Sequence, residues 1–438
     1  MKARLVPLFF PKSRDEDFDK QLARLQELLE GEAEFLQPVA LGSRIPDADA
    51  VVFPQLVGDA YRQVGDIKKI SVPLLALTSE FGTVNMWDWE IVSFLKSQGC
   101  KAFSPYNLEL TKKICRTLAL KRDMKRTKFL LFQDNPGDGM QGDIFKRFFW
   151  WEDRCTELIK SKFGIVLVKK SFKELGAFAK SIPDKEAEDA LKGWNIPKEG
   201  VSDRMLFSAV KIYLAVKREV ERDESIKGVG INCLNESFYS DTTPCLAWNM
   251  LYEEKGLIWA CEGDTMVLTS KYIINKSIDA PIIMSNIYPF LMGQAALKHE
   301  RIENFPDVDE PENHLLIVHC GYLGVVPQSF STQWILRPKV LAIVDDNAAM
   351  IDARLPEGDI TLAKLHPTLD KLMVVEGSLE SYVQYPGSDC RNGAVVRIPD
   401  GHAVMDKFYS HHYLLMTGHR KVELKYMADV LGLEIEEA

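Results

Sequence analysis

The chain has 438 residues, enough for two or three domains, each with an adequate core. Its composition, 46% hydrophobic and 27% charged, is that of an ordinary globular protein, and a formal net charge of -9 argues against a nucleic-acid-binding surface. No segment approaches the ~20 apolar residues that a membrane span needs, and Pro11-Lys-Ser-Arg breaks the short apolar run at the N-terminus, so no signal peptide is expected.

Through the first two-thirds, short apolar runs alternate with longer helical patterns, as in doubly wound α/β proteins. Strands are predicted at Arg4–Phe10, Ala50–Pro54, Val72–Leu77 and Ala102–Ser104, with helices at Asp15–Leu29, Trp87–Ser97 and Leu108–Lys125. A second series begins with strand Lys128–Phe132, helix Phe145–Lys160 and strand Ile165–Val168. Strands Gly228–Asn232, Leu257–Ala260 and Pro281–Met284 complete it, with helices Cys245–Glu253 and Thr265–Asn275 between them. Beyond about residue 295 the pattern turns to strands: His314–His319, Ser331–Leu336, Val340–Val344, Ile360–Leu365, Leu372–Val375 and Val395–Ile398. That reads as an antiparallel β domain closed by a helix at Lys421–Leu431. The expected division is an α/β domain over 1–126, a second over 127–294, and the β domain over 295–438. The eight cysteines are scattered without a CxxC pair, which suits free thiols in a reducing cytoplasm.

Four segments carry chemistry. Trp259-Ala-Cys-Glu262-Gly-Asp264 ends a buried strand in acids, and parallel strands bind ligands at their carboxyl ends. If the strand continued, Glu262 and Asp264 would face one cleft; Asp264 also suits the cap of the following helix. The triplet Glu357-Gly-Asp359 reads as a hairpin turn, so the motif alone is weak. All eight histidines lie at or after residue 299, and three of them, His411, His412 and His419, fall within nine residues. Adjacent side chains of an extended chain diverge, so one of His411 and His412 should be the main ligand, and His319 ends another apolar strand. Carboxylate plus imidazole is a ligand set for Mn²⁺, Zn²⁺ or Fe²⁺. Gly137-Asp-Gly139-Met-Gln-Gly142 is a literal GxGxxG after a strand, open to reading as a dinucleotide loop or as a flexible connection. Trp87 and Trp89 start a helix and either pack it or offer indole faces to a sugar.

Together these residues resemble the L-fucose isomerase and L-arabinose isomerase superfamily, most sharply over the last ~200 residues. Cys261-Glu262-Gly263-Asp264 is similar to the family segment whose glutamate binds the catalytic metal. His412-Tyr-Leu-Leu-Met-Thr-Gly-His419 is similar to the segment carrying its metal-binding histidine, which falls on His412, and Gly358-Asp-Ile-Thr-Leu362 resembles a strand of its barrel domain. The resemblance implies two Rossmann-like domains followed by a C-terminal antiparallel β-barrel. It implies aldose–ketose isomerisation through an enediol, with a divalent ion, Mn²⁺ foremost. The metal ligands would be Glu262, Asn286 and His412; Glu262, Asp264 and His319 would serve catalysis; Trp87, Trp89 and His411 would meet the sugar. It further implies a cytoplasmic homo-oligomer, a trimer or hexamer, in which the tryptophans would serve a neighbouring subunit's site. Asn286 stands where the family has a second acidic ligand. An amide oxygen can coordinate a hard cation but cannot accept a proton as a carboxylate does. Two other classes stay open: an NADP-linked oxidoreductase using the glycine loop, and a carbohydrate-binding relative without catalysis.

Overall fold

Short buried apolar runs, mostly separated by helices, build two parallel sheets, and a longer series of strands closes on itself. The structure is a computed structural model that describes all residues except 12–13, 56–58, 136–141, 291–306, 320–325, 340–346 and 385–391. Two units cluster by internal packing: Met1–Met124 with Lys276–Asp279 and Val422–Leu433, and the remainder.

In the first unit the strands are β1 (Ala3–Phe9), β2 (Ala33–Phe35), β3 (Val39–Ala40), β4 (Ala50–Phe53), β5 (Leu74–Ala76) and β6 (Ala102–Phe103). They form a parallel sheet in the order β2-β1-β4-β5-β6, with β3 also on β1. Asp15 caps the helix Glu16–Leu28 by accepting from the Phe18 N–H, and Asn107 caps Leu108–Asp123 in the same way. Val422–Leu431 of the last helix packs here, with Tyr426 against Phe103 at 6.4 Å between ring centroids.

The second unit opens with β7 (Lys128–Phe132), β8 (Val166–Lys170), β9 (Ile226–Ile231) and β10 (Ile258–Ala260), all parallel in the order β10-β9-β7-β8. From the neighbours β7 and β9 the chain leaves in opposite directions, toward β8 and β10. Ligands in open parallel sheets bind where such connections part. Gly230 of β9 is tightly placed: a Cβ there would lie 3.1 Å from the Cα of Gly263, in the turn that follows β10.

The strand expected to complete this sheet does not join it. β11 (Ile282–Pro289) pairs antiparallel with β12 (His314–Val318) and with β18 (His412–Thr417). Its apolar side chains are buried between barrel neighbours rather than beneath crossover helices, and a run of that length reads alike in both settings. With β15 (Gly358–Leu365), β16 (Lys371–Gln384) and β17 (Asn392–Arg397), these strands run β15-β18-β11-β12-β17-β16, and β16 returns to β15. The result is a closed six-stranded antiparallel barrel, to which β19 (Glu434–Glu437) adds a parallel strand on β16. Closure leaves no unpaired barrel edge. A separate antiparallel pair, β13 (Gln333–Pro338) and β14 (Ala349–Arg354), stands beside it. Glu357-Gly-Asp359 is therefore not a hairpin turn: it links β14 to β15, which lie in different sheets. The expected strand Val340–Val344 lies outside the described residues.

Barrel closure is tight at Gly377, where a Cβ would sit 2.3 Å from the Arg397 carbonyl oxygen. Gly377→Ala should therefore cost roughly 1–3 kcal/mol by overpacking, read as a lower midpoint in urea unfolding with an unchanged slope.

Candidate metal centre

β10 stops at Ala260, and Cys261–Gly263 form one 3-10 turn. Glu262 sits in it with φ +57° and ψ +9°, a left-handed conformation that costs a non-glycine residue roughly 1–2 kcal/mol. Gly263 follows at φ +69°, and its carbonyl accepts from the Trp151 indole N–H at 2.8 Å. The strand thus does not continue through Glu262 and Asp264, and alternation is not what brings them together. The turn tucks the Glu262 side chain inward, 3% exposed, and sets Asp264 at the head of the next helix.

Asp264 does both things the sequence left open. Its Oδ1 accepts from the Val267 N–H at 2.8 Å and caps the helix Thr265–Ile278. Its Oδ2 accepts from His412 Nδ1 at 3.0 Å and lies 3.6 Å from the Lys364 ammonium. Lys364, on β15, also donates to Ser410 Oγ at 2.7 Å.

The barrel supplies the imidazoles through strand register. Asn286 on β11 faces His412 across one edge and Val318 across the other, so His412, Asn286 and the residue after Val318, His319, come to one rim. The His412 ring stacks on Phe149, with centroids 4.8 Å apart and planes 16° from parallel. With Nδ1 committed to Asp264, its Nε2 points at Glu262, 3.7 Å from Oε1, and is buried without a hydrogen-bond partner among the described residues. His319 donates from Nδ1 to Asn286 Oδ1 at 3.1 Å, which leaves the lone pair on Nε2. One ligand atom each of Glu262, His319 and His412 lies within 4.8 Å of the others, and all three residues are buried.

Charge in this small volume is balanced by partners rather than by water. Burial by itself would raise Glu262, but the facing imidazole of His412 outweighs it and brings the carboxyl down to about 2. Burial is likewise overcome at Asp264, where Lys364 and the His412 hydrogen bond hold the group at about 2. Burial pushes His319 down to about 4, so this ring is neutral near pH 7 and able to donate its lone pair. Burial would lower His412 too, but the negative charge of Glu262 and the hydrogen bond to Asp264 carry it above the ordinary histidine range.

The expected site residues divide accordingly. Glu262, Asp264, His319, His412 and Asn286 come together. Asn286, expected as a ligand, accepts from His319 Nδ1 through Oδ1 and so orients that ring, as outer carboxylates and amides do for metal-bound histidines. His411 lies beside His412, with ring centroids 4.1 Å apart, and burial pushes it down to about 3. His419 is half exposed, 3.8 Å from Asp359, and takes no part. Trp87 and Trp89, 70% and 52% exposed, belong to the first unit. Residues 137–141 of the glycine loop lie outside the described residues.

Sequence reading missed Lys364 and Phe149. Lys364 had a signal: in Ile360-Thr-Leu-Ala-Lys-Leu365 it falls on an otherwise apolar strand, and a lysine there must find a buried partner. Phe149 had none, because its value is its position beneath an imidazole. Among known proteins, no family model and no curated sequence matches the chain.

A divalent ion fits this donor set: one carboxylate and two imidazole nitrogens, one of them buried with nothing to bond, with both rings oriented by second partners. Asp264→Asn keeps a capping side chain but puts an amide where His412 needs an acceptor of full charge. It should weaken Mn²⁺ or Zn²⁺ binding by about 10–100-fold, measured by titration calorimetry, with little change in helix content.

Proposed function

We propose that the second unit binds a divalent metal, Mn²⁺ foremost, through Glu262, His319 and His412, and interconverts an aldose and a ketose. The observation that carries this reading is the unsatisfied Nε2 of a fully buried His412, aimed at a carboxylate and flanked by the neutral imidazole of His319. When bound, the metal supplies Lewis acidity, polarising the sugar carbonyl and stabilising charge that develops on its oxygen.

The chain's own groups do the rest. Isomerisation requires removal of the proton alpha to the carbonyl and its return to the neighbouring carbon, through an enediol. Glu262 is the carboxylate that faces both imidazoles and is ionised at neutral pH, so it can accept that proton. Asp264 keeps a proton on His412 Nδ1 and thereby holds Nε2 as a donor atom. Asn286 does the same for His319. Phe149 and Trp151 wall this region with apolar surface, which keeps water from competing for the site. His411, neutral and beside His412, is the side chain placed to meet a sugar hydroxyl.

The two parallel sheets are read as doubly wound, Rossmann-like layers, and the protein as a cytoplasmic homo-oligomer. The exposed indoles of Trp87 and Trp89 suit a sugar-facing role in another subunit's pocket.

Elemental analysis of the purified protein, followed by a panel of aldoses and ketoses with Mn²⁺, tests the reading. Turnover that disappears with a chelator and returns with Mn²⁺ is expected. Glu262→Gln should lower kcat roughly 10²–10⁴-fold, and full activity in that variant would sink the assignment. Saturable sugar binding without turnover across a metal panel would make the protein a carbohydrate-binding relative instead.

A further inference from the structure

The turn that carries Glu262 packs against a second turn, and each of the two begins with a cysteine. Ala260, the last residue of β10, pairs with Gly230 of β9. Beyond this pair the two connections stay in contact: a Cβ on Gly263 would lie 3.5 Å from the Asn232 nitrogen. Cys233 opens the short helix Cys233–Glu236 after β9, and Cys261 opens the 3-10 turn Cys261–Gly263 after β10. Both side chains are buried, and neither is in a disulfide.

Across this contact the Cys261 thiol hydrogen-bonds the Cys233 sulfur, which also accepts from the Glu262 N–H. The left-handed residue of the turn is thus held at its backbone by Cys233 and preceded in the chain by Cys261. Burial pushes the thiols of Cys100, Cys115, Cys155 and Cys245 up. At Cys233 the hydrogen bond from Cys261 outweighs burial and brings the group below the ordinary thiol value, which favours the reactive thiolate. Two sulfurs already in hydrogen-bond contact need only a local movement to bond.

We propose that Cys233 and Cys261 form a reversible disulfide in response to a peroxide, and that this bond shifts Glu262 and weakens metal binding. The proposal rests on the metal reading of Glu262. With hydrogen peroxide, one thiol attacks a peroxide oxygen, the O–O bond breaks, and a sulfenic acid and water form. The second thiol then attacks the sulfenic sulfur and expels a second water. The thiol pair loses two hydrogens and two electrons, and the peroxide is reduced to two waters. Under the metal reading, a centre that admits a sugar also admits an oxidant little larger than water. Drawing the two turns together moves the residue next to Glu262, whose left-handed conformation persists only through its surroundings. In a reducing compartment such a bond is transient, as suits a sensor.

Calorimetric titration of the full chain with Mn²⁺, before peroxide treatment and after the peroxide is removed, tests it together with peptide mass mapping. A peptide pair joined through Cys233 and Cys261 is expected, with Mn²⁺ bound roughly tenfold or more weaker. A thiol reductant should reverse both changes. Cys233→Ser and Cys261→Ser, each compared with its own untreated form, should bind Mn²⁺ equally before and after peroxide. Absence of the joined pair overturns the proposal, and so does a link from Cys233 to Cys245 in its place. It is equally overturned if the joined protein binds Mn²⁺ as the reduced one does, or if the serine variants lose as much affinity as the unsubstituted chain. Failure of the metal reading is separate: the reduced protein would then show no Mn²⁺ binding sensitive to Glu262→Gln, whatever the masses show.

Discussion

A single buried hydrogen bond, from His412 Nδ1 to Asp264 Oδ2 at 3.0 Å, joins the end of a parallel sheet to the rim of a closed barrel. Both groups are removed from water, so neither can be left without the other; removing one partner of such a pair typically costs about 3–5 kcal/mol. The bond also decides chemistry. It fixes the proton on Nδ1, turns Nε2 toward Glu262, and leaves that nitrogen buried and unbonded. Lys364 makes the arrangement tolerable by setting an ammonium beside a carboxylate that would otherwise be one of two anions facing a single imidazole.

Rigid backbone supports this interaction from both sides. On the sheet side, Glu262 is held at positive φ by a turn pinned through Trp151 to the Gly263 carbonyl, and by the absence of a side chain at Gly230 beneath it. Strain of this kind persists only where surrounding contacts over-determine it, and it gathers at sites where an exact side-chain direction matters. On the barrel side, antiparallel register aligns three neighbouring strands, so His412, Asn286 and His319 reach one level without any special loop.

Much of the site was legible in the sequence because it used strong local signals. An apolar strand ending in Cys-Glu-Gly-Asp, and histidines gathered behind another apolar run, marked Glu262, Asp264 and His412 before any fold was known. The alternating pattern gave two parallel series and an antiparallel domain in the correct order. What failed was assignment by neighbours. Pro281–Met284 reads with the parallel strands that precede it, although the strand formed there, Ile282–Pro289, has its partners far later in the chain. For Asn286, position alone could not show that its amide oxygen meets the His319 ring.

The sequence by itself determined which groups could do chemistry: side-chain type and local period follow from covalent structure and from the short-range preference of each residue. It also determined that Asp264 would cap a helix, since capping needs only residues within one turn. Only the tertiary structure decided which of these groups meet. Glu262 and His412 are 150 positions apart, and their approach depends on barrel closure, strand register and one left-handed turn. The same closure gave the capping Asp264 a second role as the partner of His412 and set Asn286 against His319. These outcomes depend on low dielectric and exclusion of water, which no residue creates alone and only the packed fold provides.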